Sequence, residues 1–189
     1  MTIIKNNIAF FKQFLKHPRN IGALIPSSTK LSNKMIENIQ FKNKNNSIVE
    51  YGAGTGSFTR LIIDKLEPDS IFICIESNET FYEDLFDKYN NDINVFVFNE
   101  SVENIQEILE KKGIKKVDYI ISGIPFASIK KDIACNILAE TKEILKENGK
   151  FITFQYSLFK LSFFKSEFPV IRKQYILKNF PPAFVLECN

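Results

Sequence analysis

From residue 47 to residue 188 the chain alternates short apolar runs with stretches of helical period. Ser47–Tyr51, Ile71–Glu76, Ile93–Phe98, Val117–Ile121 and Lys150–Tyr156 are apolar at most successive positions. That is the pattern of strands buried on both faces. Between them, Ser57–Leu66, Asn78–Tyr89, Val102–Lys112 and Ile129–Lys146 follow the 3.6-residue period of a one-sided helix. Pro68 stops the first helix, Asn78 suits the N-cap of the second, and Gly113 and Asn148-Gly149 close the last two. Strict alternation of this kind predicts a parallel sheet covered by helices on both faces. The tail breaks the rhythm. Val170–Lys178 and Ala183–Cys188 are strand-like and separated only by Asn179-Phe180-Pro181-Pro182. So short a link forces an antiparallel pair.

The first 35 residues precede this sheet. Ile3, Ile4, Ile8, Phe10, Phe11, Phe14 and Leu15 share one side of a helical wheel, opposite Lys5, Lys12 and Lys16. Such an amphipathic helix either packs on its own domain or lies in a membrane interface, lysines toward anionic head groups. A turn over Gly22–Thr29 then offers Ser27 or Ser28 as cap for a second helix, Lys30–Ile39. The 189 residues read as a single domain, with 1–40 as an N-terminal helical extension and 41–189 as the sheet domain.

Charge sharpens the picture at the ends. The net +3 is spread as +6 over residues 1–36, −6 over 37–156 and +4 over 157–180. Basic ends around an acidic middle point to an anionic partner, lipid or nucleic acid, or to a lysine-rich solvated face. Cys74, Cys135 and Cys188 are scattered, and with a single His they provide no zinc site. Reduced thiols in a cytoplasmic protein are expected. No apolar run reaches the ~18–20 residues of a spanning helix, and no secretory signal is expected.

The chemistry concentrates at E50-Y-G-A-G-T-G-S57. A phosphate-binding loop needs a Lys after its last glycine, and none follows Gly56. A dinucleotide turn needs glycine where Ser57 stands, so that match is incomplete. Glycines let the backbone turn and approach a ligand closely, and a carboxylate before them favours a cationic ligand over a pyrophosphate. Acidic or polar groups also end the next two strands, at Glu76-Ser77 and at Asn99-Glu100-Ser101. In a parallel sheet these ends share the edge at which ligands bind.

With Glu50, Gly52, Gly54 and Gly56 in an E-x-G-x-G-x-G pattern, residues 47–188 resemble the class I S-adenosylmethionine-dependent methyltransferases. The resemblance implies an α/β, Rossmann-like, seven-stranded, mostly parallel sheet with an antiparallel C-terminal strand and helices on both faces, here with extra N-terminal helices. It implies S-adenosylmethionine as cofactor, held by Glu50, Gly52, Ala53, Gly54, Gly56, Glu76, Ser77, Asn99, Glu100, Ser101 and Ser122, with Glu76 on the ribose hydroxyls and the Asn99–Ser101 cluster at the adenine edge. No metal is expected.

The methyl acceptor is carried by other segments. F14-L-K-H-P-R-N-I-G-A-L-I-P-S-S28, S122-G-I-P-F126 and N179-F-P-P-A-F-V185 resemble motifs of bacterial phosphatidylethanolamine N-methyltransferases. That implies methylation of a phospholipid amine by a cytoplasmic monomer, in peripheral contact with the inner face of the membrane through residues 1–16. The alternatives are an adenine-amine methyltransferase of rRNA or DNA, and a small-molecule methyltransferase. The adenine enzymes carry N-[IL]-P-[YF] where this chain has Gly123-Ile124-Pro125-Phe126, so Gly123 removes an acceptor for the exocyclic amine. A pI near 8.6 is mild for nucleic-acid binding. As catalytic groups the reading takes Tyr156 to orient the amine or relay its proton, Ser122 as substitute acceptor, and Phe126 for cation–π contact. Arg19, Arg172 and Lys173 are candidates for a lipid phosphate, and His17 is assigned no role as a base.

Overall fold

A computed structural model describes residues 29–43, 45–177, 179 and 181–189. The expected helix over the first residues, the H17-P-R motif and the Ser27/Ser28 cap lie outside the described residues. Helix α1 (Thr29–Ile36) leads into strand β1 (Ser47–Tyr51), α2 (Thr59–Ile63), β2 (Ile71–Ile75), α3 (Glu79–Tyr89), β3 (Val95–Phe98), α4 (Ile105–Lys111), β4 (Val117–Ser122), α5 (Lys131–Ile144), β5 (Leu145–Gln155), α6 (Leu161–Glu167), β6 (Ile171–Ile176) and β7 (Ala183–Cys188). The seven strands form one sheet in the order β3-β2-β1-β4-β5-β7-β6. Strands β1 to β5 pair in parallel, while β7 is antiparallel to both β5 and β6. The order reverses beside β1, so the ends of β1 and β4 open the crevice in which such sheets bind ligands.

Each face has its own core. Val49, Tyr51, Ile73, Ile120, Phe151 and Leu186 pack under α4, α5 and α6 through Ile108, Leu138, Phe164 and Phe168. Ile48, Phe72, Cys74, Ile121, Ile152 and Val185 pack under α1, α2 and α3 through Leu31, Met35, Ile62 and Leu85. Successive residues of one strand feed opposite cores, which is why those strands read as unbroken apolar runs. The segment just after α1 is tied to the sheet by a polar contact at Glu187 of β7, a carboxylate also paired within the sheet. Asn38 Nδ2 donates to Glu187 Oε2 at 2.7 Å, and Lys150 Nζ meets Oε1 of the same carboxylate at 3.0 Å.

Local signals hold where a cap or glycine is chemically required. Asn78 caps α3, its Oδ1 accepting from Phe81 N at 3.2 Å. Gly113 takes a left-handed φ of +67° beyond α4, as a chain reversing at a helix end needs. Three features differ from the sequence reading. Helix α5 ends at Ile144 and runs straight into β5, so Asn148-Gly149 lies inside that strand's span and not at the helix end. The helix expected over Val102–Lys112 begins as a 3-10 turn at Val102–Asn104. Helix α6 has no counterpart among the predicted elements. Its sequence, LSFFKSE, carries no side-chain cap, and packing of Phe164 and Phe168 into the core holds it in place.

Candidate active site

Glu50 lies within β1, paired with Cys74 and Ile121 on either side, and is wholly buried. One oxygen, Oε2, accepts from Thr59 Oγ1 at 2.6 Å, and Thr59 is the first residue of α2. The other, Oε1, is buried with no hydrogen-bond partner among the described residues. A buried lone carboxylate is costly. Burial pushes its pKa up from 4.5 to about 8; the Thr59 hydroxyl opposes this, and the charge of Glu76 adds to it. The group therefore holds a proton at neutral pH.

Beyond Tyr51 the chain turns through Gly52, Gly54 and Gly56, all in the left-handed region, with φ of +65°, +56° and +77°. The turn is tied to β2 at two points. Gly52 N donates to Ile75 O at 2.8 Å, and Gly54 N donates to Glu76 Oε2 at 2.7 Å. Glu76 Oε1 accepts from Asn78 N at 2.8 Å. One carboxylate thus clamps the glycine turn to the start of α3. Each oxygen retains a second lone pair, so hydroxyl donors remain acceptable.

The other expected cofactor residues gather along the same edge. Ala53 is buried and Ser77 exposed. Asn99 Nδ2 donates to Glu76 O at 3.1 Å, drawing the ends of β2 and β3 together. Glu100 accepts from Asn104 Nδ2 at 2.9 Å, and Ser101 Oγ accepts from Glu103 N at 3.3 Å, capping the short turn that follows.

At the end of β4 a second turn packs on the first. Gly123 N donates to Tyr51 O at 2.8 Å. A Cβ at position 123 would stand 2.5 Å from the Gly52 carbonyl oxygen. Only glycine fits there, so the absence of an Asn is a packing requirement between the two turns. Ser122 is buried, and its Oγ accepts from Ile124 N at 3.1 Å, so the hydroxyl shapes the turn. Phe126 is fully buried, its ring 5.2 Å from that of Phe164 and 6.1 Å from that of Phe151. This differs from a ring facing substrate: the apolar attraction of those aromatics draws it into the core. Tyr156 follows β5 and is half-buried, its ring edge-on to Phe154 at 5.4 Å. Burial pushes its phenol up to about 12, so it is a neutral hydrogen-bonding group at physiological pH.

Sequence reasoning passed over two residues. Thr59 holds Glu50, and its position one turn past the glycines was the available signal. Lys160 has no such signature. It reaches back from the β5–α6 loop, and its Nζ donates to Ile129 O at 2.9 Å and Phe126 O at 3.4 Å.

The arrangement meets its relatives in sequence and in shape. The chain is 31% identical over 188 residues to an ornithine lipid N-methyltransferase of Singulisphaera acidiphila, covering 98% of this chain and 97% of that one. The chain belongs to the class I S-adenosylmethionine-dependent methyltransferases, in the family of that enzyme. A ribosomal RNA small subunit methyltransferase A of Mesomycoplasma hyopneumoniae is 28% identical over 108 residues, which is 57% of this methyltransferase and 38% of that relative. No family model matches the chain. Among solved structures, a precorrin-6y C5,15-methyltransferase of Geobacter metallireducens superposes with a TM-score of 0.63 at 14% identity, over 85% of this chain and 87% of that one. A spermidine synthase bound to the transition-state analogue AdoDATO superposes with a TM-score of 0.62 at 15% identity, over 86% and 59%. These structures share the methyltransferase's fold. Its cofactor is S-adenosylmethionine, and the residues present fit it: the buried, unpaired Glu50 Oε1 suits the cofactor's ammonium.

Proposed function

We propose that this methyltransferase N-methylates the amine of a membrane lipid head group, with ornithine lipid and phosphatidylethanolamine as the substrates to compare first. The similarity to an ornithine lipid N-methyltransferase along nearly the whole chain carries this reading. The rRNA reading has a relative matched over 38% of its length, and the contact of Gly123 with the Gly52 carbonyl leaves no room for the Asn of the adenine enzymes. Residues 1–16, basic and amphipathic in sequence, suit a peripheral membrane contact.

S-adenosylmethionine supplies an electrophilic methyl group on a sulfonium sulfur. Glu50 would hold the ammonium of the cofactor's amino-acid end, releasing its own proton to solvent. Glu76 would accept from the ribose hydroxyls while keeping the glycine turn in register. Asn99, Glu100 and Ser101 would border the adenine. The amine must reach the site neutral, since a lysine-like amine has a pKa of ~10.4 and its ammonium has no free pair. Tyr156 orients that nitrogen as a neutral phenol and does not take its proton at pH 7, because burial holds the phenol near 12. Ser122 and Phe126 act one step back, one fixing the turn and the other anchoring it from the core.

An assay with methyl-labelled cofactor tests the proposal. Ornithine lipid, phosphatidylethanolamine, ribosomal RNA and small amines are offered side by side. Label is expected in lipid. Incorporation into RNA alone overturns the reading.

A further inference from the structure

Two of the most exposed apolar side chains stand on the edge that carries the site. Phe159 is 90% exposed and Leu177 72%. Strands β5 and β6 run in the same direction on either side of β7, and their ends are level: Gln155 pairs with Phe184, and Phe184 with Tyr175. Leu177 directly follows β6 and Phe159 lies in the loop after β5, so both stand at the carboxyl edge, past the ends of strands about 10 Å apart, two strand spacings. Tyr175, also exposed, leans on Phe184 with 4.7 Å between ring centroids. The segments that carry the tips are net basic. Residues 157–180 hold five basic residues and one acid. Lys165 and Lys173 are exposed, and Lys173 shares the sheet face of Tyr175. Apolar tips rimmed by lysines match an anionic bilayer, where side chains such as Phe and Leu enter the acyl boundary and lysines stay at head-group level.

We propose that Phe159 and Leu177 seat the carboxyl edge of the sheet on an anionic bilayer, so that a head group enters the site without its lipid leaving the membrane. The proposal rests on the lipid reading above. It adds a contact separate from residues 1–16 and sets the orientation of the enzyme: the ends of β5 and β6 and the start of β7 face the membrane.

The protein has no Trp, so a Phe159→Trp variant carries a single fluorescent reporter. With vesicles of phosphatidylcholine containing about one-third phosphatidylglycerol, its emission is expected to shift to the blue and to be quenched by lipids brominated high on the acyl chain. Phe159→Ser/Leu177→Ser is expected to weaken vesicle binding on the order of 10- to 100-fold. The same variant keeps its cofactor affinity and its activity on a dispersed short-chain aminolipid. An emission that ignores vesicles, or responds to a structured RNA and not to vesicles, overturns the proposal. So does a double variant that binds and methylates bilayers like the wild type. A wild-type enzyme that methylates aminolipid in neither bilayer nor dispersed form sinks the lipid reading instead.

Discussion

Replacing Glu50 with Gln removes a titrating group from the centre of the site and keeps its shape. The amide oxygen can still accept from Thr59 Oγ1, which lies 2.6 Å from Oε2, and the amide nitrogen takes the place of the protonated oxygen. The native carboxyl titrates at about 8 against an ordinary 4.5. Between these values the folded protein holds a proton that the unfolded chain has lost. Stability therefore falls as pH rises through that window and levels off above about 8. At ~1.4 kcal/mol per tenfold change, the full fall amounts to at most ~5 kcal/mol, a large share of the ~5–15 kcal/mol that holds a domain folded. The assay is urea unfolding of both proteins from pH 5 to pH 9. They are expected to agree within about 1 kcal/mol at pH 5 and to diverge as pH rises, Gln becoming the more stable by several kcal/mol at pH 9. Taking the difference between variants cancels groups that the Glu50 charge does not reach; Cys74 is held well above the usual thiol range by burial first and by the Glu50 charge second, and only the burial part is common to both. Binding supplies a second readout. At pH 6.5, calorimetry in two buffers of different ionisation enthalpy should show wild type releasing close to one proton on taking up the cofactor, and Glu50→Gln releasing none while binding ~10- to 100-fold more weakly. Parallel pH–stability curves would refute the buried, protonated Glu50.

Gly123→Ala places a Cβ 2.5 Å from the Gly52 carbonyl oxygen. Over-packing at ~1–3 kcal/mol is expected to lower Tm by roughly 3–10 °C and to weaken cofactor binding as the glycine turn shifts; an unchanged melting curve would deny the contact. Lys160→Met frees the carbonyls of Phe126 and Ile129. With the amine-side loop loosened, kcat should fall on the order of tenfold at unchanged cofactor affinity, and Lys160→Arg should restore part of it; equal activity in all three proteins would remove Lys160 from the positioning of that loop.

The sheet was legible in the chain because its strands are buried on both faces and leave continuous apolar runs. β1 and β7 match the expected limits to the residue, and the short link before Ala183 required the antiparallel ending. Glu50, the three glycines and Glu76 could be assigned to one site because the carboxyl ends of parallel strands must share an edge. Local sequence also determined the caps at Asn78 and Gly113, where one residue meets its own backbone. The tertiary structure decided what depends on contacts between distant segments. It showed Glu50 Oε1 unpaired and its partner oxygen on Thr59. It showed Glu76 clamping Gly54, and Gly123 lying against Gly52 some 70 residues earlier. It also turned Phe126 from the cleft into the core, set Lys160 on the loop after β4, and folded α6 from a segment with no helical signal. Periodicity and turn chemistry are properties of neighbouring residues and survive in the linear order. Partners, burial and the resulting proton affinities are set by residues that only folding brings within a few ångströms of one another.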